Sequence, residues 1–225
     1  NLYVYMQSLY STKQSLLETE LQNKNLKYEL ALAQIQSLKK QIQPHFLFNA
    51  HQSLLSLILQ NENKKAADML SKLSDLLRMT LQKQNSEFII VEEEVEMIKL
   101  YLSLQQIRYD HRMACTFDIS PEARQLKIPF FTLQPLAENA VKFGVEQSDQ
   151  PCSIGVRIYI QDHMLNLAIS NTTSHNRTHP VAGFGIGLQN VSARLQQHYQ
   201  DAASLELYTD HVNTIAQISI PLYAS

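Results

Sequence analysis

Glycine is scarce in this chain of 225 residues. There are five, where average usage is about 7%, and three of them are Gly183, Gly185 and Gly187. Between Ser11 and Tyr109 there is no glycine, and Pro44 is the one proline. Cysteine is nearly absent as well. Cys115 and Cys152 sit in apolar, strand-like runs with no metal-ligand spacing, which speaks against a zinc site and leaves reduced structural thiols of a cytosolic protein. Nor is there a surplus of basic residues. The net charge of −2 provides no general basic surface and argues against a nucleic-acid partner. No apolar run approaches the roughly 20 residues that span a bilayer. No signal peptide opens the chain, which starts at Asn1 rather than Met and so reads as the downstream part of something longer.

What remains divides into two textures. The first half is rich in Leu, Gln, Lys and Glu, as helices prefer. Leu21, Lys24, Tyr28, Ala31, Ile35, Leu38 and Ile42 recur in alternating steps of three and four, a heptad seam that predicts a parallel dimeric coiled coil. A helical stripe continues through Leu54, Leu57 and Ile58 to a turn at Asn61-Glu62-Asn63. Leu70, Leu73, Leu77 and Leu81 mark a second helix, broken at Asn85-Ser86. Val95, Ile98 and Leu102 mark a third, opened by Glu92-Glu93-Glu94, which suit the positive end of a helix dipole. A helix pair from each subunit predicts a four-helix bundle.

After about Arg112 strands predominate. ACTFDIS reads as a strand and FFTLQPLAENAVKFG as a helix ended by Gly144. SIGVRIYI and LNLAISN read as a hairpin through Gln161-Asp162-His163-Met164, and SLELYTD and TIAQISIPL as another. LQNVSARLQQHY is a helix between them. The prediction is an α+β sandwich, one sheet with helices on one face, its boundary falling near residues 110 to 114.

Three stretches carry candidate chemistry. In QPHFLFN, residues 43–49, the seam through Ile42 would bury His45 against a partner helix. A bend at Pro44 turns it outward while Phe46 and Phe48 take over packing. A neutral imidazole is a good nucleophile near pH 7, and Asn49, one turn on, lies on the same face to hold the ring. A lone helical His is equally readable as structural, and His51 points elsewhere as a surface group. In Glu138-Asn139-Ala140-Val141-Lys142, Asn139 can hold a hydrated Mg²⁺ bridging phosphates, Glu138 can orient a water, and Lys142 can neutralise phosphate charge. The competing reading is a polar helix face. In GFGIG, the turn ahead of the helix at Leu188-Gln189-Asn190 can present backbone N–H groups to phosphate. It is not a Walker A loop, and a plain helix entry is the alternative. Residues 172–182 before it read as a lid.

Taken in order, QPHFLFN, LQPLAENAVKFG and GFGIGLQNVSARL resemble the LytS/YesM-type sensor histidine kinases of bacterial two-component systems, and YLSLQQIRY, residues 101–109, resembles the segment joining their two domains. The resemblance implies a signalling helix over 1–40, a dimeric helical phosphoacceptor domain over 41–112 and a GHKL-type (Bergerat) ATP-binding domain over 113–225. It implies that His45 takes the γ-phosphoryl group of Mg-ATP and passes it to an aspartate on a response regulator receiver domain. Asn139 maps onto the Mg²⁺-coordinating residue, and Gly183, Gly185 and Gly187, with Leu188, onto the glycine-rich box. It also implies a homodimer, the cytoplasmic portion of a membrane sensor, anchored only through segments absent from this chain. Three departures stand out. Asn171-Thr172-Thr173 replaces the Asp-x-Gly of many relatives, although the Asn171 carbonyl can accept the same bond from adenine. Phe143 stands where many have His, and Asn213-Thr214 where Gly-Thr is common, leaving Thr214 at the nucleotide. A degenerate dimeric scaffold with weak or no ATP binding is the alternative implied by these departures.

Overall fold

The computed structural model describes Lys13 and residues 44–172, 185–210 and 212–222; of Pro44 and His45 it fixes the backbone. The predicted coiled coil, Gly183 and nearly all of the predicted lid lie outside the described residues. The chain forms two compact units, Asn1–His51 and Gln52–Ser225, the division falling inside the first described helix.

That helix, α1, spans Pro44–Leu59 and α2 spans Asn63–Lys83. The turn between them falls at the predicted Asn61, which takes a left-handed φ of 61°. The stripe of α2 needs correction. Ala66, Met69, Leu76 and Thr80 are the residues buried, whereas Leu70 and Leu81 are exposed. Two apolar faces therefore run along α2: one packs on α3 (Val91–Tyr109), the other stays open in the single chain. Helix α3 is buried almost all round, with Val95, Ile98 and Leu102 in the core as the periodicity predicts.

The second texture folds into a five-stranded sheet. β2 (Met113–Ile119) runs parallel to β4 (Cys152–Gln161); β5 (Met164–Thr172), β7 (Asn213–Pro221) and β6 (Ser204–Thr209) complete the order β2-β4-β5-β7-β6. The β4–β5 hairpin closes at Asp162 and His163, φ 51° and 59°, the two positive angles of a type I′ turn. Alternation decides the faces. Ile154, Val156 and Ile158 on β4, Leu167 and Ile169 on β5, and Ala216 and Ile218 on β7 are all buried, each large side chain adding roughly 1.5–3 kcal/mol of burial. Against this face lie α3, α4 (Gln134–Val141) and α5 (Ile186–Tyr199). Among the described residues, no α-helix packs on the opposite face. A two-stranded ladder that the sequence reading missed, β1 (Phe88–Ile90) with β3 (Lys127–Pro129), lies outside this sheet.

The helix expected over residues 130–144 begins only at Gln134, and Gly144 does not end it. A π-helical turn, Lys142–Glu146, carries the chain through that glycine. The reason for glycine is close approach. A Cβ at position 144 would lie 2.7 Å from Cys152 Sγ and 2.9 Å from Asn171 Cβ. Gly144→Ala therefore overpacks the seam between this turn and β5, lowering stability by about 1–3 kcal/mol. Urea unfolding measures it, and an unchanged midpoint would show that the two can separate freely.

Candidate functional site

Helix α4 organises the candidate site. It carries Glu138 and Asn139, both half-buried, and Lys142, exposed at the start of the π turn. The Lys142 ammonium lies 5.2 Å from the centre of the Phe143 ring, a cation–π contact that holds the positive charge near the end of the helix. Glu138 accepts a hydrogen bond from Gln134 Nε2 at 3.2 Å.

At the N-terminal end of α4 stands the glycine motif. A Cβ built on Gly187 would lie 3.5 Å from Pro135 Cβ. Gly185 is the N-cap of α5, and its carbonyl accepts from Gln189 N at 3.0 Å. The N–H groups of Ile186, Gly187 and Leu188 thus sit in the first turn, where they have no partner within the helix. Gly185 and Gly187 are exposed, but Leu188 is 2% exposed. The Leu188 side chain belongs to the core, which leaves its backbone N–H for the turn.

At the other end of α4 stands Asn171. It is buried on β5 against Gly144, and its side-chain Nδ2 donates to Thr172 O at 3.3 Å. Thr214 on β7 is its register partner across the ladder, so the two side chains share the helix-covered face. Of the sequence-predicted residues, the fold thus brings Glu138, Asn139, Lys142, Asn171, Gly185, Gly187, Leu188 and Thr214 around one short helix. His45 and Asn49 lie one turn apart on α1, in the part of that helix belonging to the other compact unit. His51 is exposed, as expected, whereas Phe48 is 71% exposed and does not pack within the single chain.

The sequence reading missed the residues that hold α4 in place. Helix α3 runs beside it in the same direction. At its start, the Glu94 carboxylate is fully buried, and its Oε1 accepts from Leu133 N at 2.6 Å. The backbone N–H groups of Thr132 and Gln134 also stabilise this carboxylate. The acidic run does open α3 as expected, but one of its members, Glu94, points into the core. At the far end of α3, Arg108 Nη1 and Tyr109 Oη both donate to Glu146 Oε1, at 3.1 and 2.9 Å, while Arg112 Nη2 donates to Val145 O at 3.0 Å and to Ser148 O. An acidic run at a helix start gave no signal that one member turns inward. That depends on which segment packs against α3.

A groove of about 370 Å³ lies elsewhere, on the opposite face of the sheet, lined by Asp118, Arg157, Ser170, Asp210 and Gln217 among others. None of the predicted site residues lines it. Among the described residues no cluster of three His, Cys, Asp or Glu could hold a metal ion. The residues around α4 fit a cation shared with phosphate, because Mg²⁺ keeps its waters and needs few protein oxygens.

Burial pushes the Glu94 carboxyl up to about 8, against the pull of the Leu133, Gln134 and Thr132 N–H groups and Arg194. Its ordinary value is 4.5, so the folded form holds the proton more tightly. The stability this group contributes is complete below 4.5 and is lost as pH rises to about 8, at up to about 1.4 kcal/mol per unit. Urea midpoints measured between pH 5 and 8 therefore decline less steeply in Glu94→Gln than in the wild type; parallel slopes would remove Glu94 as the source.

Residues 33–113 match the histidine kinase family. Across 90% of its length the chain is 28% identical to the sensor histidine kinase YesM of Bacillus subtilis (strain 168), covering 36% of that protein. It is 30% identical, over 85% of its length, to the sensor protein LytS of Enterococcus faecalis (strain ATCC 700802 / V583), covering 34% of it. Over 76% of its length it is 30% identical to the sensor histidine kinase BtsS of Escherichia coli (strain K12), covering 30% of it. The chain thus spans about a third of the length of the curated relatives it matches. Among solved structures, the histidine kinase domain of the Erythrobacter litoralis EL346 blue-light activated histidine kinase overlays with a TM-score of 0.47 at 14% identity, over 84% of this chain and 94% of that one.

Proposed function

Since this chain carries the histidine kinase family's segment at residues 33–113 and aligns over most of its length with sensor kinases, we propose that it is an ATP-dependent protein-histidine kinase. The observation that carries this reading is the placement of α4, with Gly187 against its N-terminal end and Asn171 and Thr214 at its C-terminal end. Gly144 lies nine positions after Pro135, roughly 13 Å along α4 and the turn that follows it at 1.5 Å per residue, a length that suits an extended nucleotide. The Asn171 carbonyl oxygen accepts from the adenine amino group. The first-turn N–H groups of α5, with Gly183, receive the phosphates. Asn139 supplies one oxygen to Mg²⁺, and Lys142 offsets phosphate charge. Bound Mg²⁺ supplies neutralisation of the phosphate oxygens. Glu138 orients the proton or water nearest the reaction.

His45 is the acceptor. A ring nitrogen forms the new P–N bond as the bond from the γ-phosphorus to the bridging oxygen breaks and ADP leaves; Asn49 holds the imidazole. The phosphoryl group then passes to a carboxylate on a response regulator receiver domain. A homodimer is supported by the exposed apolar side chains Leu55, Ile58 and Leu59 on α1 and Leu70 and Leu81 on α2. Such a dimer joins helices from both copies in one bundle, extended by the coiled coil at residues 1–40. No described helix is long and apolar enough to cross a membrane.

Incubation with γ-labelled ATP and Mg²⁺ tests the reading. Wild type acquires acid-labile, alkali-stable label, His45→Ala acquires none, and Asn139→Ala acquires none while retaining its thermal melt. A second reading, a dimeric signalling scaffold with little nucleotide affinity, is favoured by one observation, Asn171-Thr172-Thr173 in place of Asp-x-Gly. Absence of both label and nucleotide binding in the wild type would select it.

A further inference from the structure

The turn between β3 and α4 is the most constrained backbone near the site. Phe131 adopts φ 66°, a left-handed angle costly for a bulky side chain that persists only where its surroundings impose it. Two other elements impose it from either side. From α5, Arg194 Nη1 donates to Phe130 O; from α3, Glu94 Oε1 accepts from Leu133 N at 2.6 Å. Within the turn, Thr132 Oγ1 donates to Pro129 O at 2.6 Å.

Accounting for the amides at the start of α4 shows what Glu94 does there. Leu133, the N-cap residue, makes no side-chain capping bond, and Pro135 has no N–H. Leu136 and Ala137 both donate to Leu133 O, at 3.1 and 3.0 Å. Of the three that remain, Leu133 N donates to Glu94 Oε1 at 2.6 Å, and the Thr132 and Gln134 N–H groups favour the charged form of the same carboxyl. One side chain from another helix therefore supplies the cap that α4 lacks in its own sequence. The second oxygen, Oε2, is buried with no hydrogen-bond partner, so the group sits there at a cost that its contact with the turn offsets.

We propose that Glu94 is a positioning residue for the nucleotide site: it fixes the entry of α4 to α3, and so sets where Glu138 and Asn139 stand. This rests on the reading of α4 as the metal-bearing helix of a kinase. Because α3 also ties the far end of α4 through Arg108, Tyr109 and Arg112, a displacement of α3 carries α4 with it. The charged groups in reach of Glu94 are few. Among the described residues, Arg194 on α5 is the charged group that favours its ionised form; one turn on, His198 pairs instead with Glu87.

The test compares wild type, Glu94→Ala and Glu94→Gln by amide hydrogen exchange at residues 132–134 and by Mg-ATP-dependent labelling of His45. In Glu94→Ala, those amides exchange at least tenfold faster while the sheet amides do not change. The KM for Mg-ATP rises at least fivefold, and kcat falls less. Glu94→Gln keeps an acceptor oxygen and restores both the protection and most of the KM. Wild-type exchange at residues 132–134 in Glu94→Ala, or a glutamine variant as impaired as the alanine one, overturns the proposal. If Glu94→Ala fails to fold, the glutamine variant alone decides, by retaining or losing amide protection. Should the wild type bind no nucleotide, the exchange result still decides the role of Glu94, and the kinase reading alone falls.

Discussion

The rest of the structure depends on α4 lying alongside α3, tied at both ends. Glu94 meets the start of α4 and Arg108 with Tyr109 meets Glu146 beyond its end. These anchors are 14 residues apart on α3 and 13 apart on the other segment, near 20 Å at 1.5 Å per residue. The two spans match, so neither helix need bend to make both contacts. Eight residues of isolated helix would be marginal in water. α4 is stable because it is held from outside.

That arrangement explains why the site's polar groups can converge on so short an element. One side of α4 is apolar and buried through Leu136, Ala137, Ala140 and Val141; the other leaves Glu138 and Asn139 partly open. Gly144 lets the chain after the helix press against Asn171 of β5 and Cys152 of β4. Gly187 lies beside Pro135, where a Cβ would make an ordinary contact. One missing Cβ atom therefore sets the C-terminal end of the site.

Much of this was legible beforehand, for reasons that differ by residue. The β4–β5 hairpin was readable because alternation and a two-residue turn are local signals. Leu102 and Ile98 were readable because helical period and burial agree. The constellation of Asn139, Gly185 and Gly187 was legible through motif order. That the Leu188 side chain joins the core was not legible, because a side chain following a glycine turn can face either way, and the packing of α5 on the sheet chose the core. What covers Phe48 and Leu70 was not legible, because periodicity gives a stripe without saying which neighbour packs on it.

By itself the sequence determined what period and local sterics control: helices in a first half free of glycine, strands in the second, the type I′ turn at Asp162-His163, and the residue types able to meet phosphate. Tertiary structure alone decided what depends on non-local neighbours. It made Gly144 a point of close approach rather than a helix stop, and it placed Glu94 as the buried cap of another helix. The physical reason is that an unpaired backbone amide must find an acceptor wherever packing brings one, and no local pattern encodes which distant side chain that will be.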